Sequence, residues 1–165
     1  NMRFYDISAS SGAALHEQLL QNAPHSSEGH RAVGKVTYQL DWQLDTSQLQ
    51  SSCQLYGVKV TTKVEWVMPN WLQLSNLADN TQSSWNNFLG AMQEYEGRHK
   101  AIIQAAAKQI GSGIAGLPVE PNCQALKAAA DEVGLQALEA ARAQVKRYQL
   151  ETANGRHMGV SMPAF

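Results

Sequence analysis

Residues 53–69 of the sequence, CQLYGVKVTTKVEWVMP, are rich in β-branched and aromatic residues. Their apolar side chains alternate with polar ones, which predicts a long half-buried strand. The alternation slips by one residue around Gly57, which indicates a β-bulge there, and Pro69 is expected to end the strand. The apolar positions are Leu55, Val58, Val60, Val64, Trp66 and Met68.

The preceding stretch alternates in the same way. Residues 35–44, KVTYQLDWQL, place apolar side chains on one face and polar side chains on the other, so they predict the strand that pairs with 53–69 in a hairpin. Residues 3–8, RFYDIS, have strand-like character and supply a further strand. The prediction is an antiparallel sheet of about three strands or more.

Three segments have helical spacing instead. Residues 13–23 place three leucines on one face before Pro24, and residues 85–110 carry a longer apolar pattern for which Ser84 is a possible cap. The glycines and prolines of 111–122 are expected to end that helix, and a last helix follows from Cys123 to Leu150. The element order predicts an α+β fold, with a long motif helix and a long C-terminal helix packed on the sheet, in a single domain over 1–165.

Composition excludes several classes of function. The 165 residues are 44% hydrophobic and 16% charged, with a net charge of −1, as in globular proteins. No more than two basic residues are adjacent, so we expect no nucleic-acid partner. No apolar run is long enough to span a membrane. The first residues do not resemble a signal peptide, which predicts a cytosolic protein or a mature one whose signal was removed.

Cysteines and loop histidines leave alternatives open. Cys53 and Cys123 have no C-x-x-C partners, so they are either two buried thiols or a disulfide formed in an oxidising compartment. His25 and His30 lie in a predicted loop without a third ligand nearby, which favours side chains with no metal.

One short stretch is similar to a known catalytic motif. Residues 93–100, QEYEGRHK, contain Tyr95-Glu96-Gly97-Arg98-His99, which differs from the zinc-protease motif H-E-x-x-H only in its first residue. In that motif two imidazoles a helical turn apart bind zinc, and the glutamate is the general base for the metal-bound water. A neutral phenol is a poor replacement for an imidazole. The spacing of Glu96 and His99 alone therefore favours an ordinary helix.

The wider sequence resembles a bacterial family of unknown function described as predicted secreted zinc-dependent proteases. The resemblance runs from FYDIS through YQLDWQL, CQLYGVKVTTKVEWVMPNW and Trp85 to Cys123 and YQLETANGRHMG. Such proteins carry H-E-x-x-H on the penultimate helix and Tyr-Asp-x-x-Thr-x-His-Gly near the C-terminus. The resemblance implies a zincin-like fold and places the third ligand at Asn154.

Matched residue by residue, this chain departs from the family pattern at the metal site. Glu96 and His99 match the base and the second histidine, whereas Tyr95 and Asn154 replace the two other ligands, and Gln149 replaces an aspartate. The residues that match in the C-terminal segment are Tyr148, Thr152 and Gly155.

The departures imply a vestigial site without metal. Tyr95, Glu96, His99 and Asn154 are then expected to satisfy one another by hydrogen bonds. The function implied is peptide or protein binding, or a structural role, on a peptidase scaffold. The alternative is an active zinc metallopeptidase in which His99 binds zinc with Tyr95, His157 or both, and Glu96 is the base.

A secreted or periplasmic location follows from the same resemblance, as does a Cys53–Cys123 disulfide. Its closed loop of 70 residues (123 − 53) would favour the native state by roughly 4 kcal/mol. Strand 53–68 is the expected partner for an extended peptide that adds to a sheet edge.

Overall fold

A computed structural model describes residues 1–25 and 32–161 of the chain, so His30 lies outside the described residues. The fold is α+β, as predicted. The strands are β1 (Met2–Ile7), β2 (Lys35–Gln48) and β3 (Cys53–Trp71), and the helices are α1 (Gly12–Asn22), α2 (Asp79–Ala115) and α3 (Cys123–Glu151). Short 3₁₀ turns cover Leu74–Asn76 and Arg156–Met158. Within the described ranges, no helix is long and apolar enough to cross a bilayer.

The sheet is mixed rather than wholly antiparallel. Its strand order in the described residues is β1-β3-β2, and β1 runs parallel to β3, with Met2 opposite Trp66 and Ile7 opposite Trp71. β2 and β3 are joined by only four residues, 49–52, which permits an antiparallel pair alone. Side-chain alternation has the same period in parallel and antiparallel strands, so the sequence did not indicate the direction of β1.

The long strand β3 lies between β1 and β2, so β1 covers the C-terminal end of the segment 53–68 that was predicted as a peptide-binding edge and leaves the part before Val64 uncovered on that side in the described residues. β1 covers it from Trp66 onwards, and the Val64 carbonyl accepts a hydrogen bond from the Asn1 ammonium at 2.7 Å. At the other end of β3, the Glu120 carbonyl accepts a hydrogen bond from Cys53 N at 2.7 Å. Between these two contacts, no strand in the described part of the chain pairs with β3 on the side opposite β2.

The predicted phase slip in β3 is present. The Cys53 amide and the Val64 carbonyl both point away from β2, although the two residues are an odd number apart. Backbone groups alternate in direction along a strand, so the alternation must shift by one residue between them. Gly57 and Val58 are both half-buried, which locates the shift where the sequence suggested.

Helix α2 is longer than predicted at both ends. It begins at Asp79, so Ser84 lies inside the helix and does not cap it. It also continues past Gly111 and Gly113 to Ala115. Two fully buried isoleucines, Ile110 and Ile114, hold this extension. A Cβ at Gly113 would lie 2.8 Å from Val133 Cγ1, so glycine permits close packing against α3 rather than ending the helix.

The described residues form two compact units. The first comprises Asn1–Thr37, Val64–Lys100 and Tyr148–Phe165. Its core joins Ile7 of β1 and Met68 and Trp71 of β3 to α1 and the first half of α2. Trp71 and Trp85 make an edge-to-face contact with ring centroids 5.3 Å apart, and Trp71 Nε1 donates to the Ala9 carbonyl at 2.9 Å. The other core residues are Leu15, Leu19, Phe88 and Met92.

The second unit, Tyr38–Lys63 and Ala101–Arg147, contains the disulfide. Cys53 and Cys123 are bonded with their Cα atoms 4.9 Å apart, which confirms the pairing and excludes two free thiols. Gln48 supports this junction, because its Oε1 accepts from Cys123 N at 3.1 Å and its Nε2 donates to the Ser52 carbonyl at 3.1 Å. The bridge therefore joins the first residue of β3 to the first residue of α3.

Hydrogen exchange tests the exposed side of β3. Since Val64 O and Trp66 N point away from β2, the amides of Val60 and Thr62 should point the same way, where the described residues offer no strand partner. We expect these two amides to exchange with solvent at least about tenfold faster than those of Thr61 and Lys63. Equal protection of the two sets, measured by NMR, would contradict this arrangement.

Candidate functional site

The residues of the near-motif are buried on one face of α2. Tyr95, Glu96 and His99 are each only 6% exposed. Glu96 and His99 are three residues apart, so they lie about one turn apart on the same face of the helix. Burial of a carboxyl group and an imidazole in a core region requires that they be paired.

Glu96 and His99 are paired with each other. Glu96 Oε2 lies 2.8 Å from His99 Nδ1. An ionised carboxylate only accepts, so in that state Nδ1 donates, and in a neutral imidazole Nε2 then carries the lone pair. The Nε2 atom is buried and, among the described residues, has no hydrogen-bond partner. The pair thus fixes the imidazole and leaves one polar atom buried and unsatisfied.

Two tyrosines enclose this imidazole. The rings of Tyr95 and Tyr148 stack with centroids 5.3 Å apart and planes 22° apart. The His99 ring meets Tyr95 at 4.7 Å and 69°, and Tyr148 at 5.4 Å and 90°. Such edge-to-face contacts are favourable for aromatic rings and fill the space around the imidazole. Tyr148 in turn donates a hydrogen bond from its hydroxyl to Met158 Sδ at 3.0 Å.

The surroundings keep the Tyr95 phenol protonated. Its pKa is raised to about 12, chiefly by burial and also by the charges of Glu96 and Tyr148, and a hydrogen bond with the Thr152 side chain partly offsets the rise. Burial also raises the pKa of Tyr148, and the positive charge of Arg98 partly offsets that rise. A phenol at this position is neutral near physiological pH, and a neutral phenol is a weak zinc ligand.

The end of α3 closes over Tyr95 through a left-handed turn. Ala153, Asn154 and Gly155 have φ angles of 50°, 56° and 83°. Thr152 Oγ1 holds the turn, because it donates to the Tyr148 carbonyl at 2.8 Å and accepts from Gly155 N at 3.2 Å. Gly155 is buried, and a Cβ there would lie 3.1 Å from Tyr95 Cδ2. Glycine therefore allows both the positive φ and the close approach to the ring.

Asn154 does not join the buried cluster. It is exposed, and none of the hydrogen bonds seen in the described residues joins its side chain to Tyr95, Glu96 or His99. The expected closure of four residues on one another is therefore wrong for Asn154. The left-handed turn explains the difference, since it buries the backbone of Gly155 and leaves the preceding side chain in solvent.

His157 is also outside the cluster. It is exposed, and its Nδ1 lies 3.2 Å from the Glu151 carbonyl. His25 is likewise exposed, and its carbonyl accepts a hydrogen bond from Lys35 Nζ at 2.6 Å. Neither histidine has a contact with His99 among the hydrogen bonds and ring contacts of the described residues.

The donor set does not fit a resident zinc ion. Zinc in a peptidase needs three protein ligands and an open position for water. Here one imidazole offers a free nitrogen, its neighbouring carboxyl group is bound to the same ring, and the adjacent phenol stays neutral. Across residues 1–25 and 32–161, no three His, Cys, Asp or Glu side chains lie close enough together to hold a metal ion.

A family described as bacterial proteins of unknown function, DUF922, matches residues 2–157. The chain belongs to this family. The match spans the sheet, the three helices and the C-terminal turn, and it assigns no activity. No curated protein and no solved structure matches the chain significantly. Membership confirms the resemblance to a bacterial family of unknown function that the sequence indicated.

The sequence predicted which residues of α2 form the site, but it did not predict the aromatic rings that enclose them. Glu96, His99 and Tyr95 were all candidates, and the structure brings them together. Tyr148 was identified only as a match to a family segment, not as the ring that stacks on Tyr95. The contact of Met158 with this ring was not predicted either: its sulfur accepts a hydrogen bond from the Tyr148 hydroxyl. The signal available was the recurrence of Tyr148, Thr152 and Gly155 in the family pattern.

A double-mutant cycle tests the buried pair. His99→Phe should lower the free energy of unfolding by about 1–3 kcal/mol, because it leaves the Glu96 carboxyl group buried without its partner. Glu96→Met combined with His99→Phe should recover part of that loss, since both polar groups are gone. Urea denaturation of the four proteins gives the coupling. Additive effects would show that the two side chains do not depend on each other.

Alkaline denaturation tests the environment of Tyr95. Its folded pKa of about 12 lies above the ordinary value of 10.0, so its contribution is complete below pH 10 and is lost as pH rises towards 12. We expect roughly 2–3 kcal/mol of stability to disappear in this range, and Tyr95→Phe to remove that part. Tyr5, whose pKa burial also raises, accounts for further loss. Tyr56→Phe, at an exposed position, is the control.

Proposed function

We propose that this protein is a peptidase-like domain that has lost its catalytic metal and now binds peptide or protein, or has a structural role. The observation that carries the proposal is the hydrogen bond between Glu96 and His99 Nδ1 inside the aromatic enclosure. In a peptidase of this pattern the glutamate must reach a metal-bound water. Here the same carboxyl group is buried and bound to the imidazole.

The nature of the replacements supports the same proposal. Tyr95 fills the place of an imidazole with a ring that stacks on Tyr148, and its pKa keeps it protonated. Asn154 is directed to solvent from a left-handed position, a conformation that asparagine tolerates better than most residues. Neither replacement opens the position that a catalytic metal needs for water.

The free side of β3 is the segment best suited to an extended peptide. Between Cys53 and Val64, β3 has no strand partner on the side opposite β2 within the described ranges, so the amides and carbonyls that point to that side are available for a ladder of main-chain hydrogen bonds. Peptides commonly bind by adding a strand to such an edge. The exposed Lys59 and Lys63 lie in this stretch, four residues apart on one face, which favours peptides with acidic side chains at the same spacing.

A secreted or periplasmic location is part of the proposal. The Cys53–Cys123 bridge supports it, because disulfides form and persist mainly in oxidising compartments.

Zinc binding tests the loss of the metal. Protein purified without a histidine tag and dialysed against zinc should retain far less than one ion per chain. Tyr95→His combined with Asn154→His should retain close to one, because residue 154 is the neighbour of Gly155, which packs on residue 95, and the two substitutions restore the three imidazoles of the family pattern. Elemental analysis of the dialysed proteins measures both values.

The matched control adds His99→Ala to the double variant, which should abolish the gained zinc. Tight stoichiometric zinc in the unmodified protein would overturn the proposal. It would favour the alternative of an active metallopeptidase that uses His99 with Tyr95, His157 or both, and Glu96 as base.

A further inference from the structure

Among residues 1–25 and 32–161, the outer edge of β1 presents backbone groups with no pairing strand. Asn1 O accepts from Trp66 N at 2.9 Å and Ile7 O accepts from Leu72 N at 3.0 Å, so the odd-numbered residues of β1 point their backbone groups towards β3. Direction alternates along a strand, and Met2, Phe4 and Asp6 must therefore point theirs outwards. β1 is an edge strand in the described sheet, and no hydrogen bond within the described residues uses these outward groups.

The same edge is apolar where it is most exposed. Phe4 is 60% exposed and Met2 is 47% exposed, and both lie on one face of β1, opposite Met68 and Trp66 respectively. β1 has no proline, glycine or lysine, which are among the residues that protect strand edges from pairing. An exposed edge with a large aromatic residue at its centre is typical of a strand that pairs with another chain.

We infer that a second copy of this chain binds the edge of β1, antiparallel, with Phe4 opposite Phe4 of the second copy. A two-fold axis requires a residue to face its own counterpart, and the two must exchange outward hydrogen bonds. A two-fold axis at Phe4 is the only one that lets Met2, Phe4 and Asp6 all form hydrogen bonds with the second copy. It pairs Met2 with Asp6 of the other copy and Phe4 with Phe4, which gives six main-chain hydrogen bonds.

Charge is compatible with this register. Arg3 falls opposite Tyr5 of the second copy, not opposite another arginine, and Asp6 falls opposite Met2. Each charged group also has a partner in its own chain, because Arg3 lies 2.8 Å from Glu65 and Asp6 accepts from Asn70 at 2.9 Å. Pairing therefore leaves no β1 charge buried alone or against its like. This self-complementarity favours a second copy over an unrelated strand.

Disulfide trapping tests the register. The chain has two cysteines and both are bonded, so Phe4→Cys adds the single free thiol. Directly opposed residues that share hydrogen bonds have Cα atoms about 5.5 Å apart, within the range of a disulfide. We expect the full-length variant to form a covalent dimer at least about tenfold faster than Leu20→Cys, a control of similar exposure on α1. Equal rates would overturn the register.

Sedimentation equilibrium tests the association itself. The unmodified protein should dimerise reversibly. Phe4→Lys should weaken the dimer by roughly a hundredfold, since it places two ammonium groups against each other on the axis. Leu20→Lys should leave it unchanged. A cooperative thermal unfolding transition would show that Phe4→Lys is folded. If it is not folded, the comparison of Phe4→Cys with Leu20→Cys decides the proposal. A protein that stays monomeric at about 1 mM, or a dimer that Phe4→Lys does not weaken, would overturn the proposal.

Discussion

The hydrogen bond between Glu96 and His99 is the constraint on which the site depends. It holds two ionisable groups in a region where each would be costly alone, and it fixes the plane of the imidazole. Tyr95 and Tyr148 then have a defined surface to stack against. The remaining cost is His99 Nε2, which is buried without a partner in the described residues. Contact with the aromatic rings reduces that cost only weakly. Because the bond to Glu96 fixes the ring on which the tyrosines pack, we expect the pair and its enclosure to depend on each other.

The C-terminal turn depends on the same cluster. Gly155 approaches the Tyr95 ring so closely that a side chain would contact it at 3.1 Å, and Thr152 links this glycine to Tyr148. Ala153 and Asn154 adopt left-handed conformations that cost free energy for residues with a Cβ. The packing of the turn against α2 must offset that cost. The turn is therefore held by the tyrosines as well as by its own hydrogen bonds.

The sequence was most informative where one periodicity continued over many residues. The strands 35–44 and 53–69 and the helix from Cys123 were close to β2, β3 and α3 because their patterns are long. The start of α2 was missed because residues 79–84 are mostly polar, and its end was missed because Gly113 is a close-packing residue rather than a terminator. The direction of β1 depends on which strand it pairs with, and no local pattern records that choice.

The candidate site was predictable in part for a related reason. Spacing on a helix places Glu96 and His99 on one face, but it does not say which atoms meet. Stacking of Tyr148 on Tyr95 requires that the end of α3 return to α2, which is a contact between residues far apart in sequence. The exposure of Asn154 depends on the positive φ angles of Ala153, Asn154 and Gly155. Of the three, Gly155 is the residue type that most strongly predicts such a conformation.

Under the proposed function, Glu96 no longer serves as a general base and instead orients the His99 ring. A metal-bound histidine normally donates its second nitrogen to a carboxylate or a carbonyl, which fixes the ring. Gln149 stands where the family pattern has an aspartate, and Glu96 now bonds the imidazole at Nδ1. The residue that the motif reserves for the water thus orients the histidine instead. Such an exchange keeps the buried face of α2 satisfied at Nδ1 without a metal, and it explains how the fold can persist once two ligands have been replaced.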